Sequence, residues 1–280
     1  MLAESKLYSF LDRNNDFLVH FFEGQKLIQE LVLIHELKDK GFSYLRDLVL
    51  STQPMISLLK PNEGFGVYID SEEPYFRWKI ETNWNGNMRT LLAPEDFNII
   101  PSKIDGVCRL VKIPPNNQKP YTSFIELKKS QFSEIINGIL SKSFQNKSII
   151  KVSDISDQSI MLMKLPKTSV DKESIDPSPS LKEYLLLKNN EIQEVFQKAL
   201  NSSEEVIDTF TSKGYSLINQ RKVQFHCPCS KDRMLFTLRN LYQNNKEDFF
   251  KPDETTIEMK CDYCKKLFNF AKEEIIQVPS

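Results

Sequence analysis

Four of the five cysteines in this chain fall into two short motifs near its C-terminal end, Cys227-Pro228-Cys229 and Cys261-Asp262-Tyr263-Cys264, with 31 residues between them. No other feature restricts the fold as strongly. Zinc takes four ligands at the corners of a tetrahedron, and thiolate is a favoured donor in its structural sites. A tight Cys-x-Cys turn supplies two corners. A Cys-x-x-Cys knuckle between the strand-like segments TIEMK and KLFNF supplies the other two. Ser230 stands where it can cap an intervening helix, KDRMLFTLRNLYQ. The expectation is therefore one Zn²⁺ per chain, held by Cys227, Cys229, Cys261 and Cys264 in a small C-terminal module. The competing possibility is a set of unligated cysteines. His226 adjoins Cys227 and could in principle replace a ligand, but with four cysteines available it is expected to be a bystander. Cys108, inside GVCRLVK, is expected to be a buried, inert thiol. Four thiolates around Zn²⁺ leave a formal charge of about -2. Lys231, Arg233, Lys260, Lys265 and Lys266 are near enough in sequence to offset it, although each is also an ordinary solvated surface charge.

The rest of the chain says which functions to set aside. Its 37 basic and 38 acidic residues nearly cancel, to a net charge of -1. Phosphate binding normally leaves a basic footprint, so nucleic acid is not an expected partner. No apolar run approaches the roughly 18–20 residues that span a bilayer, so no membrane association is expected. The N-terminus, MLAESKLYSFLDRNND, lacks the basic and apolar regions of a secretory signal. A cytoplasmic protein is expected, and in a reducing compartment clustered cysteines point to metal rather than to a disulfide framework.

At 280 residues, of which 40% are hydrophobic, the chain is long enough for a sizeable core plus a smaller module. FLVHFF, from Phe17, reads as a buried strand. Gly24 then opens a helical run in which Leu27, Ile28, Leu31, Ile34 and Leu37 share a face. A second helical stretch, Phe42 to Leu59, contains Pro54 and should kink or split there. From Gly64 the texture changes: GFGVYID, YFRWKIETNW, GVCRLVKIP and TSFIELKK are strand-like, with Asn85-Gly86-Asn87 as a tight turn. A helix follows, with Ser130 as its candidate N-cap, and then the strands KSIIKVS and SIMLMKLP. The polar segment Thr168 to Ser180 looks like a boundary. Beyond it come two amphipathic helical runs, with Leu181, Leu185, Ile192, Phe196 and Leu200 on one stripe, and Ser202 with Glu205 as a capping box. Neither is long enough to be stable alone, so both must dock. The fold class is α+β: a mixed-sheet N-terminal domain with helices over residues 1–170, an amphipathic helical linker over 171–222, and a zinc-binding module over 223–280.

Zinc holds its cysteine ligands as thiolates, the form that oxidants attack, so the same site can be a structural strut or a redox switch. The sequence here resembles the 33 kDa chaperonin family, the redox-regulated heat-shock protein 33 holdases. The resemblance rests on Cys227-Pro228-Cys229-Ser230-Lys231-Asp232-Arg233, on the distal Cys261-Asp262-Tyr263-Cys264, and on Phe268 shortly after. It is specific over about Val223 to Phe270 and looser elsewhere. It implies an ATP-independent chaperone that is a monomer and inactive when reduced and zinc-bound. Oxidation would form Cys227–Cys229 and Cys261–Cys264 disulfides and release zinc. The module and the linker would then unfold, the protein would form a homodimer, and exposed apolar surface would hold unfolding client proteins. Leu185, Leu186, Phe196, Ile207 and Phe210 are the candidate client-binding residues, with core packing as their expected role in the reduced state.

Two other functions fit a four-cysteine module. A zinc ribbon could bind nucleic acid, but His226 to Ser280 carries nine Lys or Arg against nine Asp or Glu. An enzyme could use zinc as a strut, but the chain has only three histidines and no phosphate loop, G-x-S-x-G or H-E-x-x-H. A set of four cysteine ligands would also leave no open coordination site. The expectation is a non-enzymatic binding protein.

Overall fold

The computed structural model describes residues 3–115, 118–166, 178–198, 202–246, 249–251 and 255–277. Leu200 and most of the boundary segment, 168–177, lie outside the described residues. The chain divides into two compact units, Met1–Phe225 and His226–Ser280.

In the first unit, β1 (Lys6–Asp12) and β2 (Phe17–Glu23) form a hairpin, followed by α1 (Gln25–Ile34) and α2 (Asp39–Thr52). Pro54 ends α2 as expected. The chain continues as a 3-10 turn, Gln53–Leu58, with Pro54 in its first turn, where a missing N–H costs nothing. Strands β3 (Gly64–Glu73), β4 (Phe76–Asn83), β5 (Asn87–Ala93), β6 (Ile104–Ile113) and β7 (Tyr121–Ser130) follow. Gly86, at φ 79°, closes the turn from β4 to β5, where the sequence pattern places it. The helix α3 (Phe132–Gly138) and the strands β8 (Ser148–Val152) and β9 (Gln158–Lys164) complete this stretch. Next come α4 (Leu181–Gln197), α5 (Ser203–Thr211), β10 (Ser216–Lys222) and the two-residue β11 (Gln224–Phe225).

These strands build two sheets. The first has the order β10-β1-β2-β9-β8 and is antiparallel throughout. The second has the order β11-β5-β4-β3-β6-β7 and is mixed, because β11 runs parallel to β5. The main core joins Phe22 of the first sheet to Phe65, Ile69, Trp78 and Leu110 of the second, through Leu31 of α1 and Leu45 and Leu48 of α2. Cys108 is fully buried here. Burial pushes its thiol up to about 12, which makes it the inert residue that was expected.

A second core lies on the first sheet. Tyr8, Phe10, Phe17, Val19, Phe21, Ile160 and Leu162 pack against Tyr184, Ile192, Val195 and Phe196 of α4 and Val206 and Phe210 of α5. The amphipathic stripe thus docks on an aromatic sheet face. Phe210 stacks on Phe10 with centroids 4.3 Å apart, and Tyr184 stacks on Phe17 at 3.8 Å. The Tyr184 hydroxyl donates to Asp12 Oδ2 at 2.8 Å in the buried interface. Both helices carry serine caps: Ser180 accepts from the Glu183 N–H, and Ser202 from the Glu205 N–H.

The structure departs from expectation at several places, the first being that α1 stops at Ile34 and leaves Leu37 beyond it. The N-cap of α3 is Gln131, whose N–H is met by the Glu134 carboxylate at 2.8 Å, because Ser130 still belongs to β7. The strands β1 and β5 were not anticipated. Nor was β10, which ends the stretch expected to be helical linker and pairs along β1.

Two buried groups in the β1–β2 region make the first unit sensitive to pH in opposite senses. Among the described residues His20 is hydrogen-bonded only to Ser9 Oγ, 2.8 Å away, and burial lowers its pKa from 6.5 to about 4. The unfolded chain binds this proton and the folded chain does not, so stability is lost as pH falls from 6.5 towards 4. Glu23 has no exposed surface, and burial raises its pKa to about 7 against the hydrogen bond from Gln158 Nε2 at 2.6 Å. Its effect runs the other way, with stability falling as pH rises from 4.5 to 7. The two slopes offset each other in the shared window. His20→Gln removes one of them, so the variant should gain on the parent by about 1.4 kcal/mol per pH unit from pH 6.5 down to 4. Urea unfolding at pH 7, 6 and 5 measures this, and a pH-independent difference would refute it.

Candidate metal centre

The second unit is small. Helix α6 (Lys231–Asn244) is followed by the hairpin β12 (Thr256–Lys260) and β13 (Leu267–Ala271), then by α7 (Lys272–Ile276). Its buried residues are Leu238, Phe268, Phe270 and Ile275, together with Cys261. A core of this size rarely supplies more than about 3–5 kcal/mol, so units of this kind need a staple.

The two cysteine motifs meet at one end of this core. The Sγ atoms of Cys227, Cys229, Cys261 and Cys264 all lie within 4.8 Å of one another. Cys227 and Cys261 are 3.7 Å apart, and Cys229 and Cys264 are 3.3 Å apart. These separations are far beyond a disulfide bond of about 2.05 Å. They are close to the roughly 3.8 Å edge of a tetrahedron with metal–sulfur bonds of about 2.3 Å. The donor set and its spacing therefore fit a four-coordinate zinc ion. His226 is exposed beside Cys227 and is not part of the cluster.

Local backbone explains the convergence. The hairpin β12–β13 is closed by the knuckle, where the Cys261 N–H donates to the Lys266 carbonyl at 2.9 Å and the Lys265 N–H to the Cys261 carbonyl at 2.8 Å. Lys265 takes φ 61°, the left-handed conformation the turn requires. On the other side, Ser230 caps α6 as expected, accepting from the Arg233 N–H at 3.3 Å. The Arg233 side chain turns back to donate from Nη1 to the Pro228 carbonyl at 2.9 Å.

The sulfurs differ in their surroundings. Burial pushes the Cys227 and Cys229 thiols up. At Cys261 burial is outweighed by the backbone N–H groups of Cys264 and Tyr263, and the pKa is lowered. Backbone N–H groups aimed at sulfur favour the thiolate, the form a metal requires. The cations expected to offset the cluster are partly used elsewhere. Lys231 pairs with Glu274 at 2.7 Å, and Lys266 lies over the Phe268 ring at 5.2 Å.

A profile of the family described as Hsp33 protein matches residues 5–271. The chain belongs to the Hsp33 family. A 33 kDa chaperonin of Limosilactobacillus fermentum is 21% identical, with 97% of each chain aligned. One from a Cyanothece species is 25% identical, over 57% of this chain and 54% of the relative, so this second alignment spans about half of that protein. The crystal structure of an Hsp33 homologue from Thermotoga maritima superposes with a TM-score of 0.71 over 97% of this chain and 96% of the other, at 13% identity. That similarity supports the α+β Hsp33 fold over both units. By family and by the names of its relatives, this Hsp33 chain is a chaperone-family protein.

The candidate client-binding residues sit in the first unit. Phe196 and Phe210 are buried in the interface on the first sheet, and Leu185 and Ile207 are partly buried against it. Leu186 is 76% exposed, beside the exposed Leu187. Sequence reasoning passed over Tyr184 and Asp12, since a tyrosine within an apolar stripe and an aspartate before a turn give no sign that they will meet.

Proposed function

We propose that this chain is a redox-regulated, ATP-independent holdase that binds unfolding proteins and has no enzymatic activity. The observation that carries this reading is the convergence of four cysteine sulfurs within 4.8 Å at one end of a core too small to hold the unit together. Bound there, one Zn²⁺ per chain supplies folding free energy and keeps four sulfurs as thiolates.

An oxidant such as hypochlorite would remove two electrons from each cysteine pair, forming the Cys227–Cys229 and Cys261–Cys264 bonds. Each bond takes two donors out of the tetrahedron, so the ion is lost and the second unit with it. In the reduced protein α4 and α5 hold Phe196 and Phe210 against the first sheet. Release of those helices would expose Leu185, Leu186, Phe196, Ile207 and Phe210 and, beneath them, Phe10, Phe17 and Phe21. An apolar patch of this kind binds partners, here unfolding clients and a second copy of the oxidised chain, whereas the reduced chain stays monomeric. A cytoplasmic setting suits the switch, because reductant there resets it. In the described residues no helix is long and apolar enough to cross a membrane.

The deciding experiment is light scattering from a thermally unfolding client, with reduced zinc-loaded protein and with protein pretreated with hypochlorite. Suppression by the oxidised sample alone, reversed by thiol reductant and zinc, is the expected result. Equal failure of both samples would mean that the cysteine cluster is only a strut.

A further inference from the structure

Among the basic residues near the cysteine cluster, Arg233 is bonded to the turn that carries two of the sulfurs. It is the third residue of α6, and its own N–H is already committed to the Ser230 cap. Its side chain is therefore free to fold back over the preceding turn, where Nη1 donates to the Pro228 carbonyl at 2.9 Å. That carbonyl belongs to the peptide group joining Pro228 to Cys229. The N–H at the other end of the same peptide is aimed at the Cys227 sulfur. Pro228 contributes no N–H of its own and has a fixed φ, so the orientation of this peptide plane is the main freedom left in the Cys-x-Cys turn.

A charged donor on the oxygen of an amide polarises its N–H, and hydrogen bonds in a chain strengthen one another. We propose that Arg233 is a positioning residue for the metal centre. Through the Pro228–Cys229 peptide it orients the Cys227 and Cys229 sulfurs towards the distal pair, and it delivers part of its positive charge to the Cys227 thiolate. The proposal rests on the four-thiolate metal site advanced above. Lys231, by contrast, is turned to Glu274, so nearness in sequence alone does not give a cation this role.

The test uses the full-length reduced protein, loaded with zinc or with cobalt(II), and three variants. Arg233→Met keeps the aliphatic stem and removes the donor. Arg233→Lys keeps a charged donor. Ser230→Ala removes the helix cap and leaves the Pro228 carbonyl contact. Removing an outer partner of a metal ligand typically weakens affinity by about 10–100-fold. Arg233→Met should fall in that range in competition with a zinc chelator, and Arg233→Lys should recover most of the loss. The sulfur-to-cobalt charge-transfer band should move to lower energy in Arg233→Met, because a thiolate with a weaker hydrogen bond is easier to oxidise. Ser230→Ala should melt earlier with its band unmoved. Parent-like zinc retention in Arg233→Met, or identical bands in Arg233→Met and the parent, would overturn the proposal. Equal losses in the Met and Lys variants would overturn it too, by making Arg233 a packing residue. A parent that takes up no cobalt in a four-thiolate environment would remove the metal site itself, an outcome distinct from the others.

Discussion

Cys261→Ser should abolish stable metal binding and leave residues 226–280 without a fixed fold. Cys261 is the most buried of the four clustered cysteines, and its sulfur receives the backbone N–H groups of Tyr263 and Cys264. A serine hydroxyl is a poor zinc donor at neutral pH, and three cysteines cannot close the tetrahedron. Structural zinc contributes roughly 10 kcal/mol or more in small domains, whereas a core of this size supplies about 3–5 kcal/mol. The deficit is larger than the unit can absorb, so the effect should be near total. Metal analysis of the purified variant and hydrogen exchange across β12 and β13 would measure it. One zinc per chain, retained as tightly as in the parent, would show that the ligand assignment is wrong.

Phe210→Ala should destabilise the first unit by about 3–5 kcal/mol, the range for truncating a buried phenylalanine. Its ring is 2% exposed, stacked on Phe10 at 4.3 Å, tilted against Phe21 at 5.2 Å, and edge-on to Tyr215 at 5.6 Å. The loss falls on the interface between the helices and the sheet, so α4 and α5 should loosen before the main core, which shares none of these residues. Proteolysis should then cut first within residues 178–211, and the reduced, metal-loaded variant should already suppress client aggregation to a measurable extent. Unchanged protection of α4 and α5, with stability lost only globally, would separate helix docking from client binding.

The candidate site was more legible in the sequence than the sheets of the first unit. A cysteine spacing specifies a donor set almost without regard to packing, so the four sulfurs that cluster could be named residue by residue. The aromatic strands from Gly64 announced themselves through alternation and turn residues. Strand β1 did not, because it is covered on both faces. Leu7 reaches the main core, and Tyr8 and Phe10 reach the second, so its apolar residues do not alternate. Strand β10 was hidden for the opposite reason. Its residues are nearly all exposed, and it is held by backbone pairing to β1, which leaves no mark in the side-chain pattern. Helices α4 and α5 were visible as amphipathic stripes, but the partner that receives the stripe, the aromatic face of the first sheet, is set by tertiary structure alone.

The stretch from Ser216 to Phe225 gives disorder a direction in which to spread. Its first part, β10, is zipped along β1, and its last two residues lie against β5 in the other sheet. Unravelling that starts in the second unit and runs back along the backbone meets these two fasteners before it reaches α5. Each acts as a firebreak. If the second unit melts and both fasteners hold, α4 and α5 stay in place, and the chain is a half-armed intermediate. If both give way, the flank of β1 that faced β10 and the flank of β5 that faced β11 become bare edges, with unpaired N–H and C=O groups ready to template an extended segment of another protein. On the holdase function proposed above, undocking would then offer a client two kinds of purchase at once, greasy side chains from the uncovered sheet face and a ragged backbone margin beside it.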